Sequence, residues 1–174
     1  MEDMNVIYSR TYESLKGLYL NSLAMQKRYF ETFGENTYYE DNKIAWLKEW
    51  CTIRMCCSRQ SGHSYSLIKL ISEFNLRGAI LYPNLMIAKR VEKYFLAMAN
   101  IKAIELVECA NPVFSSVISL ERSGSPLVSY SNVNFVAVDC ASFMNNTREY
   151  HEWRIYELAR SHLTKEPFFV IFME

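Results

Sequence analysis

The chain has 174 residues, enough for one ordinary domain with a single core. Half of the residues are hydrophobic and 14% are aromatic, which excludes a disordered chain. Nineteen basic residues balance nineteen acidic ones, which argues against a protein held on nucleic acid mainly by counterion release and leaves only local basic patches as candidate contacts.

The five cysteines are odd in number and show no paired CxxC spacing, so the expectation is a reduced, cytoplasmic protein with buried thiols. No apolar run approaches the ~20 residues that span a bilayer. The first residues carry no signal-peptide pattern, and no membrane association is expected.

The elements follow in chain order. Ile7, Tyr12, Leu15, Leu18, Tyr19, Leu23, Gln26 and Phe30 fall on one stripe, which predicts a long helix ending at Gly34-Glu35-Asn36. A shorter helix is expected over 41–50. Together they make residues 1–50 a helical extension packed on a core of residues 51–174, one domain in all. The aromatic excess of the first helix, with Tyr8, Tyr12, Tyr19, Tyr29 and Phe30, reads first as core packing. Its second reading is a surface for a protein partner or for self-association.

From residue 51 strands alternate with helices. Strands are expected over 52–57, 78–82, 103–107, 113–120, 134–139 and 168–173, and helices over 65–74, 85–98 and 146–162. Pro83-Asn84 supplies a turn and a helix cap, and Ser123-Gly124-Ser125-Pro126 a turn. Apolar strands between amphipathic helices predict an α/β fold: three layers, with a mostly parallel sheet covered on both faces. Lys89, Arg90 and Lys93 read as a solvated helix face, and His151 and His162 as surface histidines. Cys56, Cys57 and Cys140 have the spacing of no familiar zinc site and read as buried thiols.

The chemistry gathers in Cys57-Ser58-Arg59-Gln60-Ser61-Gly62-His63-Ser64, between a strand-like and a helix-like run. A phosphate-binding loop, GxxxxGK[ST], turns backbone N–H groups toward phosphate oxygens at a helix N-terminus. Its lysine bridges the outer phosphates and its Ser/Thr hydroxyl holds magnesium. Gly62 and Ser64 fit that pattern. Cys57 stands at the first glycine and His63 at the lysine.

The stretch Ser58-Arg59-Gln60-Ser61-Gly62-His63-Ser64 resembles the phosphate loop of large terminase subunits, the ATP-driven motors that package viral DNA, which often reads SRQ-x-GK[ST]. Phe135-Val136-Ala137-Val138-Asp139-Cys140-Ala141-Ser142-Phe143 resembles their Walker B segment, an apolar run followed by D-E-A-x-F. Residues 79–84 stand where such motors carry their second core strand, and 168–173 where the strand after Walker B lies. The resemblance covers 51–174 in order. It implies a P-loop NTPase-like core, with ATP and magnesium as candidate ligands and with Ser64 and Asp139 as the magnesium side.

Two departures fall on the residues that hydrolysis most needs. His63 supplies no fixed positive charge where the lysine would. Cys140 replaces the glutamate that polarises the attacking water, and a thiol is a poor substitute. The resemblance therefore implies a pseudoenzyme of viral type that acts by binding a host or packaging protein, with Arg59 able to sustain nucleotide or anion binding. Two alternatives stand beside it. One is an atypical ATPase or nucleotide-dependent DNA-binding protein in which Arg59 takes the lysine's part. The other is a fragment of a split packaging motor.

Overall fold

The computed structural model describes residues 4–33, 42–56, 62–102, 113–116, 133–139, 148–163 and 167–174, and the account below concerns these. Its elements are α1 (Met4–Phe33), α2 (Lys43–Trp46), a π-helical turn (Leu47–Cys51), β1 (Thr52–Met55), α3 (His63–Glu73), β2 (Gly78–Tyr82), α4 (Leu85–Lys102), β3 (Val113–Ser116), β4 (Phe135–Asp139), α5 (Arg148–His162) and β5 (Phe169–Met173).

Strands that are apolar at every position cannot leave either face in water, so they need helices on both sides. β2, β4 and β5 are buried at all five positions each. They lie at the centre of a five-stranded, wholly parallel sheet with the order β1-β5-β4-β2-β3. Successive side chains alternate between two cores. Ile53, Ile80, Ala137 and Ile171 face α1, α3 and α4, meeting Tyr12, Leu15, Leu67, Leu70 and Ala88. Leu81, Val136, Val138, Val170 and Phe172 face α5 and the π-helical turn, meeting Leu47, Ile155, Tyr156 and Ala159. The three-layer α/β expectation holds.

The sequence order follows from the handedness of parallel crossovers. The connections from β1 to β2 and from β2 to β3 run in one direction along the sheet, so α3 and α4 share a face. The connection from β4 to β5 runs the opposite way, and α5 lies on the other face.

The helix α1 belongs to both layers. Its buried stripe is Tyr12, Leu15, Tyr19, Ser22, Gln26 and Tyr29, a regular three-and-four spacing. Tyr12, Leu15 and Tyr19 pack on the α3 side, whereas Tyr29 reaches the other core. There it joins Trp46 and Trp50, with ring centroids 4.4 and 5.0 Å from its own. Residues 4–33 and 42–50 thus supply part of both cores. Leu18, expected on the stripe, is 41% exposed because it turns to one side of the Leu15 and Tyr19 line.

Many element limits fall where expected, β2 at both ends, and the others within the described residues move by one to four residues. The 41–50 helix is replaced by α2 and the π-helical turn, whose Leu47 carbonyl accepts from the Thr52 hydroxyl at 2.8 Å. Asn84 caps α4 as expected, accepting from the Ile87 N–H at 3.0 Å. Lys89, Arg90 and Lys93 are exposed. The strand expected over 103–107, the turn at 123–126 and most of 113–120 lie outside the described residues.

Three side-chain expectations are corrected. Cys51 is buried, but Cys56 is exposed, because β1 ends at Met55 and the sheet no longer covers it. His151 and His162 are half-buried rather than superficial, since α5 turns that side toward the core containing Ile155 and Ala159. Among the described residues no helix is long and apolar enough to cross a membrane.

Candidate functional site

In a parallel sheet every strand ends on the same edge, and ligand sites form just beyond those ends, where neighbouring connections leave for opposite faces. Here the chain leaves β1 for α3 on one face and leaves β4 for α5 on the other, with β5 between the two strands. Met55, Met173 and Asp139 are consecutive partners across β1, β5 and β4. Tyr82 stands one place beyond the Leu81 and Val138 pair on β2. On β3 Ser116 pairs with Tyr82, so Asp139 is the charged residue of this last row, and the row's side chains turn to the α3 face.

Asp139 is fully buried. Its carboxylate meets the first turn of α3, where the Ser64 hydroxyl donates to Asp139 Oδ2. His63 Nδ1 lies 3.9 Å from Asp139 Oδ1. The first N–H groups of an α-helix have no intrahelical acceptor, and the helix dipole places positive potential there. That potential is worth about 0.3–1 kcal/mol to an anion, or ~2 when partly buried. Burying a carboxylate opposes folding by several kcal/mol. The dipole alone does not offset this, and the hydrogen bond from Ser64 supplies part of the remainder.

The turn into α3 is made at Gly62, whose φ of 78° and ψ of 33° lie in the left-handed region. Glycine takes this conformation without strain. Its carbonyl receives the first helical hydrogen bond, from the Ser66 N–H at 2.8 Å. The ring of Tyr8, from the first turns of α1, lies directly against Gly62, where a side chain would otherwise project. Tyr8 also stacks on Tyr65, with centroids 5.9 Å apart and ring planes 29° apart.

The structure thus brings together Gly62, His63, Ser64 and Asp139. Ser58, Arg59, Gln60 and Ser61, together with Cys57 and Cys140, lie outside the described residues. Tyr8 is a site neighbour that the stripe reading passed over in favour of Ile7. The signal was available, because Tyr8 lies four residues before Tyr12 and continues the three-and-four spacing of the buried stripe.

A hydroxyl oxygen and a carboxylate at one helix N-terminus are hard donors. Magnesium takes such oxygens, keeping most of its water and using one or two carboxylates with substrate phosphates. Ser64 and Asp139 are the side chains that would serve such an ion here. The chain matches no protein-family model, no curated protein and no solved structure.

Proposed function

We propose that the chain is a nucleotide-binding module of the P-loop type, of the kind found in DNA-packaging motors, in which hydrolysis has been lost and which acts through a protein partner. One observation carries this reading. Ser64 and Asp139, distant in sequence, meet as a hydroxyl-carboxylate pair at the N-terminus of α3. The two motifs that resemble Walker A and Walker B contribute one residue each. The position of β5 between β1 and β4 supports it further, since the strand after Asp139 then separates the loop strand from the Asp139 strand.

Ser64 and Asp139 would hold magnesium, which when bound neutralises charge on the outer phosphates of a nucleotide. The N–H groups at the start of α3 would donate to phosphate oxygens. His63 stands at the lysine position with its imidazole beside Asp139, and Cys140 at the position of the water-polarising glutamate. Binding is retained in this arrangement, and the groups for turnover are not.

Calorimetry and phosphate release on the full chain test the reading. Magnesium-ATP is expected to bind without turnover above background, and Asp139→Ala to remove the magnesium-dependent part of binding. The double variant His63→Lys/Cys140→Glu is expected to gain turnover. Absence of binding by both ATP and tripolyphosphate rejects the nucleotide module. Turnover by the natural chain that Asp139→Ala abolishes rejects the loss of hydrolysis.

A further inference from the structure

The helices α1 and α3 are joined by three rungs, each one helical turn from the next. Tyr8 stacks on Tyr65. The Lys69 ammonium sits 3.8 Å from the centre of the Tyr12 ring. Glu73 accepts from the Tyr12 hydroxyl and forms a 2.5 Å ion pair with Lys16. Residues 8, 12 and 16 thus meet 65, 69 and 73 in register, and residues four apart lie on one helical face. The two helices run alongside each other from the candidate site toward the far end of the sheet.

The first rung differs from the other two in what it touches. Tyr8 contacts Gly62 before His63 and Ser64, and Tyr65 after them. A single ring of α1 therefore braces both ends of the turn that presents Ser64 to Asp139. A glycine in the left-handed region has no side chain of its own to fix it. Its neighbours must supply the restraint, and Tyr8 supplies it from another element.

We propose that Tyr8 is a positioning residue for the turn from Gly62 to Ser64, so that α1 holds the Ser64 hydroxyl against Asp139. Releasing the ring frees Gly62 and lets the start of α3 fray, which separates Ser64 from Asp139. Coupling of this kind is reciprocal, so an anion held at α3 also tightens the first turns of α1. This role rests on the α1 and α3 contacts alone; its effect on anion binding rests on the function proposed above.

Amide hydrogen exchange on the full chain tests it, with Tyr8→Ala, Tyr8→Phe and the natural chain compared. The Ser66 N–H, which closes the first turn on Gly62, is expected to exchange at least about tenfold faster in Tyr8→Ala. Tyr8→Phe keeps the ring and is expected to match the natural chain, and amides within β4 and β5 are expected to be unchanged. Magnesium-tripolyphosphate is the probe for the second arm, and Tyr8→Ala is expected to weaken its binding about tenfold. Unchanged Ser66 exchange overturns the proposal. Equal acceleration in β4 and β5 overturns it too, because Tyr8 would then only fill the core. If Tyr8→Ala does not fold, Tyr8→Leu keeps apolar volume without the ring and is read the same way. If the natural chain binds neither tripolyphosphate nor ATP, the nucleotide module falls, and the exchange comparison still decides the part played by Tyr8.

Discussion

Gln26 and Phe168 meet as one peptide group meets another. The Gln26 side-chain N–H donates to the Phe168 carbonyl at 3.0 Å, and its oxygen accepts from the Phe168 N–H at 3.2 Å. The side chain is 1% exposed, so it is a buried polar group that is satisfied, and it pins α1 to the entry of β5. It also extends the pairing of a strand whose regular ladder starts only at Phe169.

Gln26→Leu keeps the volume and leaves both Phe168 groups without their present partner. Each buried orphan opposes folding by about 1–3 kcal/mol. A loss of roughly 2–4 kcal/mol in chemical denaturation is expected, with an unchanged denaturant slope. A loss under about 0.5 kcal/mol would mean that Gln26 does not anchor β5.

Ser64→Ala takes a donor from the fully buried Asp139 carboxylate. Hydrogen bonds to charged groups contribute about 1.5–3 kcal/mol, and a similar loss of stability is expected. Ser64→Thr keeps the hydroxyl and is expected to recover most of it. Denaturation curves of the two variants, measured in parallel without nucleotide, separate the bond from simple packing.

Gly62→Ala meets two penalties: the left-handed backbone and the Tyr8 ring. The first is about 1–2 kcal/mol and the second about 1–3 kcal/mol. In a Tyr8→Ala background only the first remains. A double-mutant cycle is therefore expected to show that Gly62→Ala is at least about 1 kcal/mol less harmful without Tyr8. Additive effects would place the ring away from Gly62.

Burial lowers the affinity of His162 for a proton below the ordinary imidazole value of 6.5. The unfolded chain then binds more protons than the folded one as pH falls below that value. By linkage, stability from this group is intact above pH 6.5 and declines as pH falls toward the folded-state value, below which no further change occurs. His162→Gln is expected to flatten stability against pH in that window. An unchanged slope would assign the acid sensitivity to other groups.

The parallel sheet was legible because Gly78–Tyr82 and the run ending at Met173 are apolar at every position, a pattern that only a doubly covered strand permits. Gly78 itself was not legible as a constraint. A side chain there would strike the Phe135 carbonyl of the neighbouring strand, a contact that local pattern does not encode. The π-helical turn escaped because five-residue hydrogen bonding leaves no compositional mark in Leu-Lys-Glu-Trp-Cys. In the site, Ser64 and Asp139 were foreseeable as a pair from the order of two motifs. For Tyr8 the stripe signalled only that it faces the rest of the fold, not its contact with Gly62, which joins elements far apart in sequence.

The position of β5 has a consequence for assembly on the ribosome. β1 and β4 do not touch each other; each pairs with β5, which follows every other described strand in the order of synthesis. While β5 is still inside the exit tunnel, the emerged chain can pair β2 with β3 and β4, but β1 has no neighbour in the sheet. Ser64 follows β1 and Asp139 ends β4, so within the sheet the two halves of the candidate site are joined through residues 169–173. A nascent chain paused before that point would hold both motifs without the strand that joins them.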